Sequence, residues 1–143
     1  MTSTMPVVSN TSPLLNLAII GRLYLVRSQF SEVLIPPAVA RELRADEGLP
    51  GSDSLAEALA AGWLKVIPLD THRVSHILWR TLDEGEAEAI ALALQVQAEH
   101  ILLDERDGRR AARAAGLHAV GVLGILLRAK LEGALDSLTA EIE

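Results

Sequence analysis

Short apolar runs recur along the chain, each fenced by Pro, Gly or a polar residue, and each is followed by a longer stretch with helical spacing. PVVS (6–9), VLIP (33–36), WLKVIP (63–68), HILLD (100–104) and HAVGV (118–122) read as five strands. Between the first two, SPLLNLAIIG sets Leu14, Leu17 and Ala18 on one face and stops at Gly21, with Ser12 as expected N-cap and Pro13 as first helical residue. A short segment runs on from Arg22 to about Ser28. PPAVARELRA puts Val39 and Leu43 on one face at i, i+4. Further helices are expected over 54–61, closed by Gly62, over 71–82, over the alanine-rich stretch after Asp83, over 109–115, closed by Gly116, and over 123–133. Strands alternating with helices predict an α/β fold whose parallel sheet is covered on both faces. No repeat, low-complexity tract or linker divides residues 1–143, which read as a single domain.

The polar positions that break this pattern are mostly acids. In DEGEAEAIALALQ, Glu86 and Glu88 are two residues apart, hence roughly 200° apart around a helix, and cannot serve one site. Ala87, Ile90, Ala91, Leu94 and Ala98 define the expected buried arc, which leaves Glu86 on its shoulder and Glu88 on the far side with Gln95 and Glu99. Glu86 is therefore the candidate ligand, or else the third residue of a capping box with Asp83. Asp104 ends an apolar strand and Asp107 opens the next helix, so either ligates an ion or caps. Asn10, directly after the first strand, is a cap or a neutral oxygen ligand, and Glu42 alone is an ordinary surface glutamate.

Composition narrows the chemistry. With no cysteine, any metal must be held by oxygen or imidazole, and a reducing cytoplasm is the expected compartment. The start of the chain lacks the pattern of a signal peptide, and no uncharged run approaches a bilayer span, so no membrane association is expected. A formal charge of −6 argues against a protein that coats nucleic acid, yet Arg106, Arg109, Arg110 and Arg113 cluster beside the acids. Cations early in a helix oppose its dipole, so these arginines suggest an anionic ligand such as phosphate, unless they form a solvated face. His72 and His76 have the i, i+4 spacing of a zinc pair but lack a third ligand and the HExxH glutamate, while His100 and His118 read as edge or packing residues. Neither a GxSxG elbow nor a dinucleotide fingerprint is present.

Taken in order, VVSNTSPLLNLA, VLIPPAVAREL, DEGEAEAIALA and ILLDERDGRRAA resemble a PIN domain, in the branch near the VapC-type toxin ribonucleases. The resemblance covers nearly the whole chain and rests on four short motifs in register. It implies a three-layer α/β/α sandwich in which three or four acids bind Mg²⁺ or Mn²⁺ and hydrolyse RNA. It maps the site onto Asn10, where an Asp is usual, and onto Glu42, Glu86 and Asp104, with Asp107 as a further metal ligand after a small local shift. Arg106, Arg109, Arg110 and Arg113 would then hold RNA phosphates. It also implies a toxin-like role with a protein antitoxin as partner, in a homodimer or higher homo-oligomer. The alternative is a degenerate PIN-like module that binds RNA or protein, because the neutral Asn10 removes one charge from the cluster.

Overall fold

A computed structural model describes residues 6–45, 48–70 and 82–133. The helix expected over 71–82, with His72 and His76, falls outside those residues except for Leu82. Five strands, β1 (Val7–Ser9), β2 (Val33–Ile35), β3 (Leu64–Val66), β4 (His100–Leu102) and β5 (His118–Val120), form one parallel sheet in the order β3-β2-β1-β4-β5. Among the described residues seven helices flank it: α1 (Thr11–Ile19), α2 (Tyr24–Phe30), α3 (Pro37–Ala45), α4 (Ser52–Ala61), α5 (Glu84–Gln95), α6 (Arg106–Ala114) and α7 (Val122–Leu131).

The two-residue period of the strands divides the core. Val7, Val33, Ile35 and Leu102 face a layer that includes α1, α2, α4 and α7, whereas Val8, Leu34 and Ile101 face α5 and α6. This is the α/β/α sandwich that the pattern implied. None of the described helices is long and apolar enough to cross a membrane. Gly62 and Gly116, expected to close helices, follow α4 and α6 with φ of +84° and +87°, a left-handed turn that glycine enters without strain.

Three local expectations change. Helix α1 begins at Thr11 with Asn10 in the N-cap position, so Ser12 is not the cap and Pro13 is the third helical residue. Proline fits there because the first-turn N–H groups have no intrahelical acceptor to lose. Helix α6 begins at Arg106, three residues early, which puts Arg113 in its last turn, where a cation suits the dipole. Arg106, Arg109 and Arg110 stay in the first half of the helix, where cations oppose the dipole, and Arg113 does not.

The third change concerns α5, which is buried all round from Gly85 to Ala93, while Leu94, expected in the buried arc, is 42% exposed. The helix lies between the sheet, α3 and α6, so a single apolar stripe does not describe it. Glu88 accordingly does not sit with the solvent-facing residues. It is buried, and its Oε1 accepts the backbone N–H of Ala38 at 2.9 Å. Helix α3 starts at a Pro-Pro pair that offers no capping oxygen, and Glu88 supplies one from fifty residues away.

Candidate metal centre

The sheet order reverses beside β1. Strands β2 and β3 lie on one side of it and β4 and β5 on the other, so the crevice characteristic of open α/β sheets opens at the carboxyl ends of β1 and β4. Asn10 enters that crevice first. Its backbone N–H donates to Leu102 O at 2.9 Å, which extends the β1–β4 pairing, and its buried Oδ1 accepts no hydrogen bond. Glu42, in the second turn of α3, reaches the same place and its Oε2 accepts the Thr11 hydroxyl at 2.7 Å. Glu86, in the first turn of α5, is 6% exposed, and its Oε2 is likewise buried without a partner. These three line one cavity of about 530 Å³ with Thr11, Ser12, Asp83 and Glu105.

Asp104 does not line that cavity and is turned toward α7. Its Oδ1 accepts the Val122 N–H at 2.8 Å, which caps a helix whose own N-cap is Gly121. Asp104 is thus a helix cap through one carboxylate oxygen, and its second accepts no hydrogen bond among the described residues. Asp107 goes elsewhere. It is exposed and lines a different cavity with Leu82, Arg110, Ala111 and Ala114. The three-residue step from Asp104 carries it around α6, and Glu105, at that helix's N-cap position, borders the acidic cavity in its place. Arg109 is half-buried and approaches Gly121 alongside Asp104, whereas Arg106, Arg110 and Arg113 are exposed. At about 100° per residue the four arginines share one face of α6, and among the described residues none of them forms an ion pair.

Residues 6–143 match the family model DUF3368, a PIN domain. The chain belongs to the PIN-domain family. PIN domains are commonly nucleases, and they generally work with divalent metal ions. No curated protein matches the sequence. Among solved structures it is similar to a PilT N-terminus domain protein from the hyperthermophilic archaeon Sulfolobus solfataricus P2, with 14% identity over 93% of this chain and 96% of that one and a TM-score of 0.59. It is also similar to a domain of a functionally unknown protein from Methanocaldococcus jannaschii, with 19% identity over 82% and 91% of the two chains and a TM-score of 0.51. At such identities the likeness is one of fold.

The electrostatics of this PIN domain centre on Glu86. Burial strips water from its carboxylate, and the neighbouring Asp83 adds to the effect, so its pKa rises from 4.5 to about 7. Asp83 Oδ1 meanwhile accepts the Glu86 N–H at 2.8 Å. That is one half of the expected capping box, and it leaves Glu86 Oε2 without a partner at the cavity. As placed, no three His, Cys, Asp or Glu among the described residues enclose a metal position. The donor set nonetheless fits a hard cation. Every candidate donor is an oxygen, two of them are buried and unsatisfied, and the open cavity leaves room for the waters that Mg²⁺ retains. Thr11 and Glu105 were not anticipated from sequence. The signal for Thr11 is a hydroxyl directly after Asn10, and Glu105, between Asp104 and the helix that follows, has no local feature that distinguishes it from an ordinary N-cap residue.

Proposed function

We propose that this PIN domain is a metal-dependent endoribonuclease that cleaves RNA phosphodiester bonds, acting in the cytoplasm as the toxin-like member of a toxin–antitoxin pair. The observation that carries the reading is a set of three unsatisfied buried oxygens, Asn10 Oδ1, Ser12 Oγ and Glu86 Oε2, on the cavity that Glu42 also lines. Buried polar atoms are nearly always partnered, and three orphans on one acidic cavity call for a cation. Asn10, Glu42, Glu86 and Asp104 would hold Mg²⁺ or Mn²⁺, which when bound supplies Lewis-acid polarisation of the scissile phosphate and the attacking water. The chain's own residues do the rest. Thr11 holds Glu42 by its hydroxyl, Asp83 orders the first turn of α5, and Arg109, nearest Asp104, brings a phosphate toward the acids. Asp107 lines the other cavity and is not one of these ligands, and Glu105 borders the acidic cavity.

The deciding assay is cleavage of mixed RNA by purified protein in Mn²⁺. A contaminating nuclease is recognised by activity that survives Glu86→Gln, and such survival defeats the proposal. Reversing Arg109 and Arg110 to Glu together is expected to weaken RNA binding in chelator by at least about tenfold at moderate salt and to flatten the dependence of log K on log salt by roughly two. An unchanged slope would remove the arginines from the interface. Helix α7 exposes Leu123, Leu127 and Leu131 at i, i+4, i+8, and this face is proposed for contact with a second copy or an antitoxin. A monomeric mass in solution, unchanged by any co-expressed partner, counts against it.

A second reading is supported by one observation, the neutral amide of Asn10. In that reading the chain is a degenerate PIN-like module that binds RNA or protein, holding RNA through the α6 arginines without cutting it. RNA binding that persists in chelator, with no Mn²⁺-induced thermal shift, selects it.

A further inference from the structure

Three helices begin beside the acids with a glycine, and in none of them does the backbone call for one. Gly85 is the second residue of α5, Gly108 the third of α6 and Gly121 the N-cap of α7, and none has a left-handed φ. Gly85 and Gly108 are helical, where glycine is a poorer choice than alanine because it leaves the unfolded chain more freedom to lose, while Gly121 is an extended N-cap whose φ of −97° is open to other residues. The reason lies in what a Cβ would meet. At Gly85 it would stand 2.6 Å from Glu42 Oε1 and 3.1 Å from Asn10 Oδ1. At Gly108 it would collide with Glu86 Oε2, and at Gly121 it would stand 2.7 Å from Asp104 Oδ1 and 3.1 Å from Arg109 Nη1. Each of the four side chains assigned to the site therefore presses on one of these glycines, although the four come from separate parts of the chain. Two of the pressing oxygens, Asn10 Oδ1 and Glu86 Oε2, are the buried ones that accept nothing.

We propose that Gly85, Gly108 and Gly121 are positioning residues of the metal centre, whose missing Cβ atoms are the space in which the oxygens of Asn10, Glu42, Glu86 and Asp104 are seated against the first turns of α5, α6 and α7. The geometry stands by itself, while its consequence for cation binding rests on the function proposed above. Gly121 seats two groups of opposite charge, Asp104 and Arg109, so one vacant position fixes the phosphate-facing arginine relative to the acid. The positive ends of the three helices also lie close to the carboxylates, which eases their mutual repulsion before a cation arrives.

Gly85 gives the cleanest test, because the three atoms nearest its Cβ position all belong to Glu42 and Asn10, whereas at Gly108 two methyl carbons of the core residue Leu103 stand at 3.1 and 3.2 Å. The experiment is a double-mutant cycle on the full chain, with melting measured in chelator and Mn²⁺ binding by titration. In the native background Gly85→Ala is expected to lower the melting temperature, since Glu42 must be displaced from its bond with Thr11. In the Glu42→Ala background the same substitution is expected to raise it, as a helical glycine-to-alanine change ordinarily does. The Kd for Mn²⁺ should rise at least tenfold in Gly85→Ala while the circular dichroism of the fold is unchanged. An equal rise in melting temperature in both backgrounds overturns the proposal, and so does an unchanged Kd in a chain that binds Mn²⁺. If the native chain does not bind Mn²⁺ but the sign still reverses between backgrounds, the metal reading fails and the seating role stands.

Discussion

Glu86→Gln is expected to leave the metal-free chain more stable at pH 8 and, in the same preparation, without Mn²⁺-dependent RNA cleavage. The folded protein holds the Glu86 proton to about pH 7, whereas the unfolded chain releases it near 4.5. Between those values the folded state binds more protons, so stability falls as pH rises. The contribution is fully present below 4.5 and is lost by the time pH has passed 7. Glutamine is neutral throughout and keeps it. On the scale of 1.36 kcal/mol per pKa unit, and allowing for relaxation around the site, the gain at pH 8 is on the order of 1–3 kcal/mol, or several degrees in Tm. Mn²⁺ should reverse the ranking, because a cation that binds the ionised carboxylate stabilises the native chain and has less to hold in the variant. Cleavage should drop by at least about a hundredfold, the scale on which loss of one group that stabilises transition-state charge is felt. Melting curves at pH 5 and pH 8, with chelator or Mn²⁺, check the first part. A variant as pH-sensitive as the native chain would mean that Glu86 is not the group titrating.

Asn10→Asp is expected to tighten Mn²⁺ binding by roughly one to two orders of magnitude, less than the bare Coulomb gain at an effective dielectric near 20, because the added carboxylate must also be desolvated and held beside other acids. The amide oxygen already lies unpartnered in the cavity, so the substitution adds charge without adding bulk. In chelator the effect should be the opposite. The new carboxylate would face Glu42 across the vacant Cβ position of Gly85, and the repulsion should lower the melting temperature. Isothermal titration with Mn²⁺, beside melting in chelator, reads both signs. Cleavage that appears only in Asn10→Asp would select the binding-module reading for the native chain. Cleavage in both, faster in the variant, would support an active enzyme with a weakened site. No change in affinity would take Asn10 out of the ligand set.

Much of this was legible because short parallel strands leave a strong trace. VVS, VLI and HIL are apolar on both faces, since each strand is covered on both sides, and proline or glycine brackets the helices between them. The strand order is not written locally, because pairing of β1 with β4 spans some ninety residues. For the site, helical geometry sets Glu86 and Glu88 apart, and in the fold Glu86 lines the cavity while Glu88 is buried against α3 rather than facing solvent. Amphipathicity assumes one buried face, and α5 has two further helices against it. Asp107 misled for a related reason. Sequence proximity to Asp104 says little once a helix starts between them, because each residue then turns by about 100°.

Glu88 has a mechanical role as well. The helix that carries Glu86 also holds, two residues on, the first turn of the helix that carries Glu42. The separation of these two acids is therefore gauged along a single rigid rod, with one end of the measurement at the cavity and the other at the Ala38 amide. A sliding of α3 over α5 would have to break that bond before it could spread the acids, so the spacing of the site is as durable as one buried hydrogen bond.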